Sequence, residues 1–384
     1  MLMNRRAAAL LTASLLSIAG CAQTPDAAPP PAPIAAAPVA AAAASVLPTR
    51  PAGAAPLAAS TLLTKIAIGS CSEETEAMGA FSAILKDAPQ AFIYAGDNVY
   101  GDVRNNNAWL PELRQAYIDL AKNPDFLALN AQLPIWATWD DHDYGLNDAG
   151  GDFPFKGLAE AFFETFWGVS AEVAARPGIY DSAIYGPEGQ RTQIIMLDTR
   201  FFRSPLKATD ARNAPGRERY VPDADPAKTV LGEEQWAWLA QELAKPAELR
   251  LIVSSIQVIS EAHGWEAWRM LSADHQRFYN LLRDSQANGV VLLSGDRHHA
   301  ALFKKDGVGA YPLYEMTASS INRAFRTEVA EFDEGRQLSP GYAPRNYGLI
   351  SIDWQGAKIT LDIKDEQGAA QRSVTIPFAE INAG

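Results

Sequence analysis

The segment "PIWATWDDHD", which begins at Pro134, passes abruptly from apolar residues to three carboxylates and an imidazole. Carboxylates this close repel one another, and moving them out of water costs still more unless a cation or protons lie among them. A metal ion is the obvious cation. The motif therefore predicts Asp141 as a metal ligand and His142 as a proton donor beside it, with Asp140 and Asp143 as supporting residues.

A second segment with metal-binding character is "SGDRHHA". Asp296 and His298 are spaced so that an extended backbone places both side chains on the same side, where they can bind one centre. His299 would then point to the opposite face, and we predict a structural role for it.

Two further segments supply candidate ligands, although each also has an ordinary structural explanation. In "GDNVYGD", Gly96 allows a sharp bend before Asp97, and Tyr100 can return its phenolic oxygen to the same centre. An Asp-Asn turn is the alternative. In "IGSC", Cys71 offers a soft thiolate ligand, whereas a buried free cysteine usually acts as a small apolar filler.

These motifs follow apolar runs that have the composition of buried strands. The runs are "KIAIGSCS", "QAFIYAGDNVYGD", "LPIWATWDDHD", "TQIIMLDTRFF", "RLIVSSIQVI" and "NGVVLLSGDRHHA", and helical patterns lie between them at 110–130, 231–245 and 272–287. Such alternation predicts an α/β fold, in which ligands bind at the carboxyl ends of the strands. The last part of the chain instead predicts antiparallel strands with turns at Gly356 and Gly368.

The motifs "GSC", "GDNVY", "WDDHDYGLND", "LDTR" and "SGDRHHA", in this order, resemble those of the PhoD-like branch of the metallophosphatases, the alkaline phosphatase D family. The resemblance covers most of residues 63–384. It implies a metallophosphatase-type double β-sheet sandwich flanked by helices.

The same resemblance implies iron with calcium beside it, and it leaves other divalent metals open. The residues that it places at the metals are Cys71, Asp97 and Tyr100 on the iron side, Asp141 and Asp296 at positions shared with the neighbouring metal, and His298 to complete the set. Related purple acid phosphatases have a histidine where "VSSIQ" offers Gln257. The second metal is therefore expected to be oxygen-rich, which fits calcium better than zinc.

The activity implied is that of a phosphoric ester hydrolase, in which a metal-bound hydroxide attacks the phosphorus of a phosphodiester or a phosphomonoester. Asp97 would bridge the two metals. His142 would stabilise the equatorial charge or protonate the leaving oxygen, which is worth roughly 10²–10⁴ in rate.

Three other features have a predicted role at the phosphate or an ordinary structural alternative. Asn98 is predicted to donate to a non-bridging oxygen. Arg200 either clamps the phosphate or forms a structural Arg-Asp pair. Trp265 and Trp268 stand at helical spacing, which fits a core position better than a substrate platform.

Two alternative functions stay open: a phospholipase-like hydrolase of lipid headgroups, and a non-catalytic metal-binding surface lipoprotein. His142 discriminates between enzyme and binding protein, because a binding site has no need of a proton donor beside its metals.

Residues 1–20 have the features of a lipoprotein signal peptide, since Arg5 and Arg6 precede a short apolar stretch and "IAGC", which resembles a bacterial lipobox. Lipidation of Cys21 would anchor the chain in a membrane; ordinary secretory cleavage is the alternative. Residues 21–62, rich in Ala and Pro, predict a semi-rigid tether to a PhoD-like domain at 63–384. We expect an exported cell-envelope lipoprotein on the periplasmic or outer-membrane side, in which Cys71 has no disulfide partner in its own chain.

Composition limits the remaining classes of function. The chain has 384 residues, 48% of them hydrophobic, which suffices for one large domain or two ordinary ones. Its formal net charge is −12, and it contains no basic run. Because phosphate backbones require stripes of Lys and Arg, nucleic acid is not expected as a partner. The predicted partners are a phosphate ester and a membrane.

Overall fold

Twelve strands and seven α-helices make up the regular structure in the part of the chain that the computed structural model describes, residues 47–324 and 332–383. The strands are β1 (Lys65–Gly69), β2 (Ala91–Ala95), β3 (Ile135–Thr138), β4 (Asp181–Tyr185), β5 (Thr192–Met196), β6 (Leu249–Val253), β7 (Val290–Ser294), β8 (Ala300–Lys305), β9 (Leu313–Ala318), β10 (Asn346–Asp353), β11 (Lys358–Asp365) and β12 (Ala370–Pro377). The helices are α1 (Gly79–Asp87), α2 (Pro111–Leu120), α3 (Pro124–Gln132), α4 (Asp141–Tyr144), α5 (Lys156–Trp167), α6 (Gly232–Leu243) and α7 (Ser272–Ser285).

The strands form two mixed six-stranded sheets. The first has the order β12-β11-β10-β1-β2-β3, and the second has the order β4-β5-β6-β7-β9-β8. In the first sheet β1, β2 and β3 are parallel, while β10, β11 and β12 form the antiparallel meander that the sequence predicts. In the second sheet β5, β6, β7 and β9 are parallel. The predicted double-sheet α/β fold is confirmed.

Alternation along the strands sorts the apolar side chains into three cores. Ile66 and Ile68 point into the core between the sheets, whereas Ala67 points into the core beneath the helices of the first sheet. In the second sheet Ile194 faces the core between the sheets, and Ile195 faces the core beneath α6 and α7. This is the period of two that strands impose, and it gives four layers in the order helix, sheet, sheet, helix.

The predicted single helix at 110–130 is two helices, which corrects the sequence-based boundary. Asn123 ends the pattern, and its side-chain oxygen accepts hydrogen bonds from the backbone N–H groups of Asp125 and Phe126. Pro124 occupies the first turn of α3, where its missing N–H costs nothing. The cap and the proline together begin a second helix after the first has ended at Leu120.

Residues 47–62, which belong to the predicted tether, lie against the folded domain. Leu47 packs on the core under the helices. The Arg50 guanidinium lies 5.2 Å from the centre of the Trp167 ring, and the N–H of Ala54 donates to the carbonyl of Asn130 at 2.8 Å. Residues before position 63, the predicted start of the domain, therefore also pack against the fold.

The predicted signal peptide at 1–20, Cys21 and the tether up to residue 46 lie outside the described residues. Within 47–324 and 332–383, none of the helices has both the length and the apolar character that are needed to cross a bilayer.

Candidate metal centre

The candidate ligands stand directly after the carboxyl ends of β1, β2, β3 and β7. Cys71 follows β1, Asp97 follows β2, and Asp141 begins the short helix α4 after β3. Asp296 and His298 follow β7 in the other sheet. Because parallel strands end at a common edge of their sheet, residues far apart in sequence converge there.

The side chains form four overlapping groups whose ligand atoms all lie within 4.8 Å of one another inside each group. The groups are Cys71–Asp97–His298, Asp97–Asp141–His142, Asp140–Asp141–Asp296 and Asp141–Asp148–Glu266. The remaining predicted ligand, Tyr100, donates its hydroxyl to Asp97 Oδ2 at 3.4 Å. All six predicted ligands therefore lie together.

The backbone at this centre is held in the left-handed region. The φ angles are 53° at Cys71, 50° at Asp97, 66° at Asp296 and 53° at His298. Residues other than glycine rarely adopt such angles, and their strain of order 1–3 kcal/mol each persists only where the surrounding structure imposes it. The strain turns the chain sharply at each strand end and aims the side chains inward.

Two motif glycines allow this edge to close. A Cβ on Gly96, whose φ is +94°, would lie 2.6 Å from the Cβ of Asp140. A Cβ on Gly295 would lie 2.6 Å from Ser70 Oγ. Both distances are too short for real atoms, so side chains at these positions would push the strand ends apart.

Buried carboxylate oxygens at the centre lack hydrogen-bond partners. Asp97 Oδ1, Asp140 Oδ2 and Asp141 Oδ1 are buried and have none among the described residues. Burial raises the pKa of Asp97 and of Asp296 well above the usual range of a carboxyl. For Asp141 burial acts in the same direction, but the charges of His142 and Arg200 lower its pKa below the usual range. Such orphaned acceptors fit bound cations.

The soft and neutral donors fit the same conclusion. Burial raises the pKa of the Cys71 thiol well above its usual value, so the thiolate needs a nearby cation. Burial lowers the pKa of His298 to about 4, and its Nδ1 lies 2.6 Å from the carbonyl oxygen of Arg323. A neutral imidazole whose Nδ1–H donates to a carbonyl leaves Nε2 for a metal.

His142 has the opposite electrostatic state. Its Nδ1 lies 2.8 Å from Asp102 Oδ2. Burial acts to lower the pKa of His142, but the carboxylates of Asp141, Asp97 and Asp102 raise it to about 11. The imidazole is thus held as a proton donor, and Asp102 is an orienting residue to which the sequence analysis assigned no role.

A cavity of about 210 Å³ opens onto the centre. Its lining includes the predicted residues Asp97, Asp141, His142, Asp296 and His298. It also includes residues that sequence reasoning did not assign to the site, namely Asn147, Asp148, Arg219, Glu266 and Arg297, together with Trp265. Asn147 and Asp148 follow the "WDDHD" motif by four and five residues, whereas no local signal marks Arg219.

Asn98 and Arg200, which were predicted to contact phosphate, do not line the cavity. The side-chain amide of Asn98 donates to the carbonyl of Thr138 at 2.9 Å, and the residue is fully buried away from the cavity lining. Its amide thus binds the carbonyl at the end of β3, and the side chain does not line the cavity.

Arg200 is a structural ion-pair residue and not a phosphate clamp. Its Nε and Nη2 donate to Asp140 Oδ1, and Nη2 also pairs with Glu266. Its Nη1 donates to the carbonyl of Ala149 at 3.3 Å. The side chain is fully buried beneath the acidic cluster, where it balances the carboxylates.

The remaining aromatic and amide candidates divide between core and cavity. Trp268 is fully buried, whereas Trp265 is half-buried and lines the cavity. Gln257 Oε1 lies 2.9 Å from His263 Nε2, and both residues are buried outside the cavity lining. His299 is buried, with Nδ1 2.8 Å from the Arg297 carbonyl, away from the cavity.

A family model for PhoD-like phosphatases matches residues 155–352, which is more than half of the chain. This chain belongs to the PhoD-like phosphatase family. Alkaline phosphatase D from Bacillus subtilis (strain 168) is 24% identical over 254 residues, which cover 57% of this chain and 43% of that protein. The match therefore spans less than half of the length of this relative.

Solved structures show the same fold. The structure of PhoD superposes with a TM-score of 0.67 at 17% identity, over 86% of this chain and 72% of that chain. The purple acid phosphatase PPD1 from yellow lupin (Lupinus luteus) superposes with a TM-score of 0.57 at 12% identity, over 85% of this chain and 56% of that chain. These likenesses establish a metallophosphatase fold for this member of the PhoD-like family.

Proposed function

We propose that this PhoD-like protein is a metal-dependent phosphoesterase that hydrolyses phosphodiesters, phosphomonoesters or both. The observation that carries the proposal is the convergence on one cavity of overlapping ligand groups that are linked through Asp97 and Asp141, with His142 among them. A centre of two metals bridged by a carboxylate, next to a proton donor, is the arrangement of metal-assisted phosphoryl transfer.

The donors divide by chemistry, and this supports iron beside calcium. Cys71, Tyr100 and His298 surround Asp97 with thiol, phenol and imidazole groups, which suit a transition metal such as iron. Asp140, Asp141 and Asp296 offer oxygen alone, which suits a hard cation such as calcium. When bound, these metals would activate a water molecule as the nucleophile and polarise the phosphoryl oxygens.

The chain's own residues supply the rest of the chemistry. His142 donates a proton to the leaving oxygen, and Asp102 fixes its ring through Nδ1. Arg200 binds Oδ1 of Asp140, and Oδ2 of this carboxylate has no hydrogen-bond partner among the described residues. The buried setting of the carboxylates limits competing water.

We also propose that the protein is exported and anchored as a lipoprotein through Cys21. The basic start, the short apolar stretch and "IAGC" at the beginning of the chain support this proposal. A tethered enzyme of this kind would act on phosphate esters of the cell envelope.

The test uses residues 22–384, purified and loaded with iron and calcium. We would assay a chromogenic phosphodiester and the matching phosphomonoester at alkaline pH, with and without a chelator. We expect hydrolysis of at least one ester, its loss on chelation and its return when metal is restored. A folded, metal-loaded protein that hydrolyses neither ester would refute the enzyme and favour a metal-binding lipoprotein.

A further inference from the structure

Two arginines of the cavity lie against one tryptophan. The guanidinium carbon of Arg219 is 4.9 Å from the centre of the Trp265 ring, and that of Arg297 is 5.7 Å from it. All three residues line the same cavity as Asp97 and His142. One part of the cavity therefore carries the acidic ligands, and another carries two cations on an aromatic ring.

The wall that bears Arg219 and Trp265 is assembled from two loops, 208–220 and 261–266. The backbone N–H groups of Arg219 and Tyr220 both donate to the carbonyl of Gly264, at 3.0 Å and 2.7 Å. The N–H of Gly264 donates to the carboxylate of Glu218. A Cβ on Gly264 would lie 2.4 Å from the Cα of Arg217. The close backbone contact fixes the wall before any ligand arrives.

Each guanidinium is also tied to a candidate metal ligand. Arg219 Nη1 lies 2.6 Å from Asp148 Oδ2, and the N–H of Asp148 donates to Asp141 Oδ2 at 2.7 Å. Arg297 is buried, and in the sequence it stands between Asp296 and His298. Its Nη1 lies 3.9 Å from Asp296 Oδ2. Both cations are thus held at fixed positions beside the centre.

We propose that Arg219 and Arg297, braced on Trp265, bind the anionic oxygens of the substrate phosphate, the role that the sequence analysis considered for Arg200. This inference rests on the proposed function and adds the substrate-binding residues to it. A planar guanidinium matches two phosphate oxygens at once, and stacking on an aromatic ring restricts its motion. The two arginines, together with metals bound at the acidic ligands, would neutralise the charge of a phosphate dianion.

The test measures binding of inorganic phosphate to the metal-loaded protein by calorimetry, together with metal content. We expect Arg219→Gln and Arg297→Gln each to weaken phosphate binding about 10-fold or more, the usual effect of a lost charged hydrogen bond. Metal content should stay unchanged, and Arg219→Lys should restore part of the affinity.

Arg277 provides the matched control outside the site. Its guanidinium lies 4.6 Å from the centre of the Trp236 ring, and its Nη1 is 2.6 Å from Glu233 Oε1. Arg277 thus has the same kinds of aromatic and carboxylate contact as Arg219, but it does not line the cavity of the candidate metal centre. Arg277→Gln should bind phosphate like the unaltered protein.

The outcomes separate this inference from the proposed function. If both cavity variants keep their metals and bind phosphate normally, the assignment of Arg219 and Arg297 to phosphate binding is refuted, even when the unaltered protein hydrolyses esters. If Arg219→Gln loses metal, Arg219 acts through Asp148 on the metal centre, and its assignment to the substrate is refuted. If the unaltered protein binds phosphate through both arginines but hydrolyses no ester, the phosphate-binding role of the arginines is supported and the proposed activity is refuted.

Discussion

Asp97 connects the thiol and imidazole ligands to the carboxylates of the candidate metal centre, because it belongs to the group with Cys71 and His298 and also to the group with Asp141. Its Oδ2 accepts hydrogen bonds from the Cys71 thiol at 3.2 Å and from Tyr100 at 3.4 Å, while Oδ1 has no partner among the described residues. Its left-handed backbone stores strain. A carboxylate that is strained, buried and half-satisfied is stabilised most directly by a cation.

His142 gives the prediction that belongs to the residue scale. His142→Ala removes the imidazole that Asp102 orients, and we expect turnover to fall roughly 10²–10⁴-fold, as is typical for loss of a general acid. The six predicted ligands remain in place, so metal content should stay the same. Steady-state kinetics and elemental analysis of the same samples measure both quantities. A variant that loses its metals yet keeps its activity would show that our assignment is wrong.

At the scale of elements, residues 47–62 act as a strap across the domain. Leu47 packs on the core beneath the helices of the first sheet. Leu57 packs on a different core, the one between the sheets. The carbonyl of Ala59 accepts a 2.8 Å hydrogen bond from the N–H of Gly186, which directly follows β4. The strap therefore joins the helical layer to the second sheet.

Truncation tests the strap. A chain of residues 63–384 loses the three partly buried leucines Leu47, Leu57 and Leu62 and several hydrogen bonds, for which we expect about 2 kcal/mol of stability to be lost. Its melting temperature should then lie about 4 °C below that of residues 47–384. Residues 22–384 serve as the control and should melt together with 47–384. Equal melting of the 47–384 and 63–384 chains would show that the strap does not contribute to stability.

At the scale of the whole molecule, the candidate centre joins the two sheets. Cys71, Asp97 and Asp141 belong to strand ends of the first sheet, and Asp296 and His298 belong to a strand end of the second. Without cations, the buried carboxylates face one another at this seam, and burial raises the pKa of Asp97 and Asp296. Bound metals would replace this repulsion with attraction between the sheets.

Metal removal should therefore lower the stability of the whole fold. A ligand at 1,000 times its dissociation constant stabilises the native state by about 4 kcal/mol, which corresponds to about 10 °C of melting temperature in a protein of this size. Calorimetric melting with and without a chelator measures the shift. Asp97→Ala, which removes the shared ligand, should melt at the same temperature in both conditions. An unaltered protein indifferent to chelation would contradict a metal centre that joins the sheets.

The sequence by itself predicted the α/β class, β1, β2, β3, β5, β6, β7 and the antiparallel strands at the end of the chain, but it did not mark β4, β8 or β9. The six candidate ligands that it indicated remain predictions. Each ligand follows an apolar run directly, and the carboxyl ends of parallel strands meet at one edge, so local pattern translates into a shared location. Where the determinant is not local, sequence reasoning failed. The pattern at 110–130 is helical throughout, but the cap at Asn123 and the ring of Pro124 divide it.

Only the tertiary structure decided which cations line the cavity. Arg200 follows a strand end, as the ligands do, but folding buries it against Asp140 and Glu266. Arg219 lies in a loop without any motif, and contact with Gly264 brings it to the cavity. Charge and spacing in a sequence indicate which residues can do chemistry. The carboxylate with which a buried guanidinium pairs is determined by the packing around it. That choice depends on contacts between segments far apart in the chain.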